Sequence, residues 1–192
     1  MNYVKVLYEK LMSSGSPRAL KRFNHSLGVA FKALEIIEDN NLNVDKDKAF
    51  LAGLLHDYSK FSNIERYYEI VEKYDVPRDI LEENEKVFHG ILGYLVVREE
   101  LGIEDEDVLN AIKYHVFGSD QMTELEEVIY LADYIENNRV GEEYELVREV
   151  AKTDYKKAIA LESAATMEHL LNKGEKIHPN AYSTYNKYKQ YK

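Results

Sequence analysis

The sequence has no cysteine in its 192 residues. Disulfides, thiolate-held metals and cysteine nucleophiles are therefore excluded, and any metal must be held by histidines and carboxylates. Glycine and proline are scarce, nine and three residues respectively, which removes collagen-like and low-complexity readings. No apolar run approaches the ~20 residues of a membrane span. The opening MNYVKVLYEKLMSS is amphipathic and lacks the basic-then-apolar order of a signal peptide. Positive charge is in deficit, with 25 Lys and Arg against 35 Asp and Glu and a formal charge of −10. So acidic a surface repels duplex nucleic acid and anionic lipid. A soluble cytoplasmic protein without nucleic-acid or membrane partners is expected. Hydrophobic residues reach 45%, enough at this length for one domain with a full core.

Helical periodicity dominates, and the alternation of β-strands is nearly missing, so the fold class is all-α. A short helix is expected over 2–12. Ser16-Pro17 reads as the cap and first residue of a long helix to about 40. The third helix, 46–57, contains Ala49-Phe50-Leu51-Ala52-Gly53-Leu54-Leu55, apolar all round and hence central. Ser62 with Glu65 forms a capping-box pattern for a helix to about Tyr74, and a segment opened by Pro77 runs to about Leu101 with a break near Asn84. Acidic residues 104–107 open a helix through His115. Thr123 with Glu126 caps another, through about Asn137, whose Val128-Ile129-Tyr130-Leu131-Ala132 is again apolar throughout. Two helices over 142–172 and an exposed, amphipathic, Tyr- and Lys-rich terminal helix complete one domain over 1–192.

The two all-apolar helices end in Leu54-Leu55-His56-Asp57 and Leu131-Ala132-Asp133. A carboxylate in such surroundings is neutralised by burial unless a cation meets it. Further histidines at 25, 89 and 115 fall on separate predicted elements. Imidazoles and carboxylates without thiols suit iron, manganese or zinc. His169 and most of the sixteen tyrosines are read as packing and surface residues.

The ordered set His25, His56-Asp57, Asp133 resembles the H…HD…D signature of the HD superfamily of metal-dependent phosphohydrolases. More specifically, the chain resembles the YqeK family of symmetrical diadenosine tetraphosphate hydrolases. The matching pieces are RFNHSLGVA at 22–30, AGLLHDYSK at 52–60, His89-Gly90, AIKYH at 111–115, IYLADYIE at 129–136 with Arg139, and IHPN at 177–180. They span about 18–182.

The resemblance implies an HD-domain helical bundle with its core over about 18–140, and C-terminal helices 142–190 completing a nucleotide pocket. His25, His56, Asp57 and Asp133 would bind a divalent metal, iron first, with manganese or cobalt as substitutes. His89 and His115 would touch phosphates or complete a second metal site. Arg22 and Arg139 would meet phosphate oxygens, Val116 would contact substrate through its backbone, and Lys176, Ile177, His178, Pro179, Asn180 and Ala181 would close over base and ribose. Asp57 would act in catalysis by orienting water, and Lys60, in the HD-x-x-K spacing, by neutralising phosphate charge. Where relatives carry Thr after the fourth histidine and Pro after the Glu of the Asp133 segment, this chain has Val116 and Asn137. The expected activity is metal-dependent cleavage of diadenosine tetraphosphate to two ADP, in a protein for which a homodimer is open. The alternatives are an HD phosphohydrolase of another nucleotide, a di-iron oxygenase and a nucleotide sensor without turnover.

Overall fold

The computed structural model describes residues 1–192 and contains helices but no strands. In chain order the helices are α1 (Tyr3–Ser13), α2 (Ala19–Asp39), α3 (Lys46–Leu55), α4 (Ile64–Lys73), α5 (Phe88–Ile91), α6 (Gly93–Leu101), α7 (Glu106–Tyr114), α8 (Glu124–Ile135), α9 (Glu142–Ala151), α10 (Tyr155–Lys173) and α11 (Pro179–Tyr188). The all-α, single-core architecture follows from the patterning. α3 and α8, the two helices without a polar face, form the centre: Ala49, Ala52 and Leu55 on one and Val128, Ile129, Leu131 and Ala132 on the other have no exposed surface. α2 packs on both, and α7 packs on α3 and α8 from another side. Side chains at the ends of α3, α7 and α8 are thus brought towards the middle of α2.

The closest approach in this core is between backbones. A Cβ built on Gly53 would lie 2.9 Å from the Cα of Ala30 and 3.0 Å from its nitrogen, so α2 and α3 pack without a side chain between them. Gly53→Ala in an ordinary helix would stabilise by about 1 kcal/mol. Here it is expected to cost about 2 kcal/mol, because backbone atoms cannot rotate away and α3 must shift. His56 follows three residues later, so a thermal melt and a metal titration should both show a loss. An unchanged melting temperature would contradict the close packing.

Several local expectations are corrected. α2 begins at Ala19, because the Ser16 hydroxyl accepts from the Arg18 N–H in a turn that precedes the helix. α4 is capped by Asn63, whose side chain accepts from the Arg66 N–H; Ser62, one residue earlier, has a buried hydroxyl with no partner. The segment 77–101 does break at Asn84, but it is less regular than a pair of helices. It forms two 3-10 turns, Arg78–Glu82 and Glu85–Val87, and then α5 and α6, kinked at Leu92. Gly90 explains part of this course, since any Cβ there would collide with Val116. α3 stops at Leu55, leaving His56 as its C-cap and Asp57 in the following turn, and α8 stops at Ile135. The Thr123–Glu126 capping box is present in full. The terminal helix is docked rather than exposed: Ala181, Thr184 and Tyr188 of α11 are buried.

Candidate metal centre

His25 comes from the middle of α2, His56 from the C-cap of α3, Asp57 from the turn after it, His89 from α5, His115 from the C-cap of α7 and Asp133 from the last turn of α8. They meet. His25 Nε2 lies 3.0 Å from Asp133 Oδ1 and 3.7 Å from Asp57 Oδ2. His56 Nε2 lies 3.2 Å from Asp57 Oδ2 and 4.0 Å from Asp133 Oδ1. His89 Nε2 lies 3.2 Å from Asp57 Oδ1. Ring centroids run from His25 to His56 at 5.2 Å, on to His115 at 4.9 Å and from there to His89 at 5.4 Å. Three overlapping triads, His25–His56–Asp57, His56–His115–Asp133 and Asp57–His89–His115, each hold their ligand atoms within 4.8 Å of one another.

Hydrogen bonding fixes which nitrogen each ring presents. His56 Nδ1 is 2.7 Å from the Gly53 carbonyl and His115 Nδ1 is 2.6 Å from the Ile112 carbonyl, each three residues back in the last helical turn. His25 Nδ1 is 3.0 Å from Glu136 Oε1. Each carbonyl or carboxylate accepts from Nδ1–H, the outer-sphere arrangement typical of metal-binding histidine, which turns Nε2 towards the cluster. The buried His25 Nε2, His56 Nε2 and Asp57 Oδ1 have no hydrogen-bond partner. Orphaned polar atoms in a core are costly, and a divalent cation at the centre would satisfy all three. The donor set therefore fits a metal, with room in the overlapping triads for one ion or two.

The charges respond to this crowding. Burial opposes ionisation of His25, but the adjacent carboxylates of Asp133, Glu136 and Asp57 outweigh burial and push its pKa up to about 9. A cation at Nε2 must displace that proton, so metal and proton compete there. His115 is driven down to about 4 by burial and by the neighbouring His56. Asp57 and Asp133 are held well below the usual carboxylate range: burial opposes this, but the surrounding imidazoles prevail, with Lys60 and Arg139 respectively.

A cavity of about 370 Å³ opens beside the cluster. Arg22 reaches Asp57 Oδ2 with Nη1, and Arg139 donates to Asp133 Oδ1 at 2.8 Å. Lys60 Nζ is 2.7 Å from His89 Nε2 and 3.7 Å from Asp57 Oδ1. These three cations line the cavity together with His89, His115 and Val116. Lys176 through Ala181 do not line it. Lys176 pairs with Glu83 at 2.5 Å, Pro179 opens α11, and the His178 ring stacks on Phe117 at 4.1 Å and 4°, next in sequence to Val116.

Two acids with no assigned role also belong to the site. Glu136, inside the IYLADYIE match, orients His25 and also accepts from the Asn138 backbone N–H at 2.7 Å. Glu162 of α10 lines the cavity at 4% exposure, and its Oε2 is unpartnered. Burial first, then the charge of Asp133, raise the pKa of Glu162 well above the carboxylate range. Its sequence signal is an acid on a stripe of Tyr155, Ala158, Ile159 and Thr166 at helical spacing.

Comparison with known proteins agrees with this geometry. The HD domain family profile matches residues 22–138. The chain is 38% identical over 165 residues to a protein of Bacillus subtilis named bis(5'-nucleosyl)-tetraphosphatase, symmetrical, covering 86% of this chain and 88% of that one. A protein of the same name from Halalkalibacterium halodurans is 40% identical over 165 residues, covering 86% and 87%. A crystal structure from Clostridium acetobutylicum, described as an HD superfamily hydrolase involved in NAD metabolism, superimposes with a TM-score of 0.85 at 34% identity, covering 98% of this chain and 97% of that one.

Proposed function

The chain belongs to the HD-domain family, YqeK branch, and from that premise we propose that it hydrolyses diadenosine tetraphosphate symmetrically to two ADP. One observation carries the reading most directly: a metal-ready cluster with the Nε2 atoms of His25 and His56 unpartnered opens onto a cavity walled by two arginines and two lysines. Such a wall suits a polyanion.

His25, His56, Asp57 and Asp133 would hold the ion, with His89 and His115 available for a second; iron is our assignment, with manganese or cobalt as substitutes. A divalent ion so held acidifies its bound water and polarises a phosphoryl oxygen. Asp57, bonded to Arg22 and facing His56 and His89, would orient the attacking water. Arg22 and Arg139 would exchange their present carboxylate partners for phosphate oxygens in part, forming charge-assisted bonds that position the bridge for in-line attack. Lys60 would neutralise charge on the attacked phosphoryl group. The water oxygen bonds to one β-phosphorus, the central P–O–P bridge breaks, and the departing half keeps the bridging oxygen. His178, stacked on Phe117, with Asn180 and Ala181 in the helix it caps, would cover the nucleoside of one half.

The test is product chromatography after loading with Fe(II), Mn(II) or Co(II), with NAD and mononucleotides as competing substrates. ADP as the sole product from diadenosine tetraphosphate is expected. ATP with AMP would defeat symmetrical cleavage, and a tight complex left uncleaved at saturating metal would identify a sensor.

A further inference from the structure

A substrate with two identical halves, cut at its middle, has to be held on both sides of the reacting phosphorus, and the groups assigned so far account for only one nucleoside. We propose that a second cavity, on the His89 side of the metal centre, receives the other nucleoside diphosphate half, so that the tetraphosphate bridge crosses the ion from one pocket to the next. The proposal rests on the reading of the site as a dinucleoside tetraphosphate hydrolase and deepens it.

The cavity measures about 440 Å³, within the range of about 300–1,000 Å³ that small-molecule sites occupy. It shares Arg22, Lys60, Lys86 and His89 with the catalytic cavity, so the two are continuous along a cationic seam. Arg18 adds a further positive charge, and Glu85 is its only acidic side chain. Arg18 and Lys86 form no ion pair, in a chain where acids outnumber bases 35 to 25. An unpaired cation so close to a phosphate-binding centre raises the local concentration of anions.

Beyond this seam the walls change character. Phe61, Ile64, Tyr67 and Phe88 form an apolar surface, with Tyr67 and Phe88 in edge contact at 5.6 Å. Phe61 is half-buried, so part of its ring stays open to a base, and base–aromatic stacking contributes about 1–3 kcal/mol. Ser62 lies in the same wall. Cations shared with the catalytic cavity and aromatics that line only this one of the two suit a nucleoside diphosphate held with its phosphates towards the metal centre. A third cavity of about 450 Å³, with Lys21 and Tyr144, is also cationic. It shares only Arg22 and Arg139 with the catalytic cavity and has fewer apolar walls, so it is the weaker candidate.

The experiment combines calorimetric titration of metal-loaded protein with ADP and steady-state kinetics on two substrates, diadenosine tetraphosphate and adenosine 5'-tetraphosphate, which has one nucleoside. Wild type should bind two ADP per chain. Lys86→Glu and Phe61→Ala, checked for unchanged helical content, should each lose the weaker ADP and raise KM for the dinucleoside substrate about tenfold, equivalent to one charge-assisted bond or one stacked base. For Phe61→Ala, KM for the mononucleoside should stay within about twofold, because the lost contact meets only a second base. One ADP per chain in wild type overturns the second pocket while leaving hydrolysis intact, as does an effect confined to Lys21→Glu and Tyr144→Ala. Two ADP sites with no cleavage of diadenosine tetraphosphate overturn the hydrolase reading and, with it, the assignment of this pocket to half of that substrate.

Discussion

Asp57→Asn should lower turnover about 10³-fold or more while leaving the helical content intact, an effect of the size expected when the group that organises a catalytic ion is removed. The substitution keeps shape and removes charge. In the wild-type chain Asp57 has one oxygen engaged by Arg22 and 3.2 Å from His56 Nε2, and the other 3.2 Å from His89 Nε2. No other carboxylate touches both ends of the imidazole row. With asparagine in its place, the row keeps Asp133 and Glu136 at its His25 end and loses the only carboxylate at its His89 end, so metal content after anaerobic loading should fall together with turnover. The sign of the accompanying stability change is also set. The Asp57 pKa is depressed in the fold, so its contribution to stability is present above the ordinary carboxylate pKa and lost as pH falls through the depressed value. Metal-free Asp57→Asn should therefore be less stable than metal-free wild type at pH 7, and the gap should narrow in acid. Metal analysis, ADP release and thermal melts at two pH values measure the three effects. Near-normal turnover in the variant would remove Asp57 from the centre of the mechanism.

The reasons why this centre could be read from the linear chain are local. His56-Asp57 and Asp133 each end a helix that has no polar face, so the sequence itself marks them as buried charges in need of a partner, and α3 and α8 do form the centre of the fold. His25 lacks such a mark; its place follows from the ordered likeness, and physically from Gly53, which lets α2 lie directly on α3. Glu162 escaped notice because its stripe reads as core, and only the position of α10 over Asp133 makes it a cavity wall. The break at Asn84 is legible, but the rest of the course of 77–101 is not, for a different reason. Its periodic apolar residues are compatible with a helix, whereas its course is set by two 3-10 turns and by the fit of Gly90 against Val116, a contact between distant segments that no local pattern encodes. Ser62 and Asn63 are both good acceptors by residue type, and the Asn63 side chain is the one that reaches the Arg66 N–H.

Glu127→Leu should be the most damaging single change outside the metal centre. Glu127 is 2% exposed. Its Oε2 accepts from the Tyr155 hydroxyl at 2.9 Å and its Oε1 from the Tyr188 hydroxyl, with Lys156 Nζ at 3.8 Å. One carboxylate of α8 thus fastens the start of α10 and the end of α11. Burial and that neighbouring charge raise both tyrosine pKa values, so the two phenols remain donors. Leucine fills the volume but strands two buried hydroxyls, at about 1–3 kcal/mol each. A loss of about 3 kcal/mol corresponds to roughly 6–12 °C in melting temperature for a chain of this size. Tyr188→Phe removes one donor together with its bond, leaves Glu127 paired with Tyr155, and should cost no more than about 1.5 kcal/mol. The functional consequence follows from what α11 carries. Its first turn holds His178, stacked on Phe117, and Thr184 donates to the Phe117 carbonyl at 3.0 Å. Loosening α11 should therefore raise KM for diadenosine tetraphosphate severalfold, with kcat and metal content near wild type, because no metal-binding side chain lies on α10 or α11. If kcat and metal content fell as far as KM rose, α11 would have to support the ion itself, and the division between a nucleoside cover at the C-terminus and a catalytic core on α2, α3, α5, α7 and α8 would be wrong.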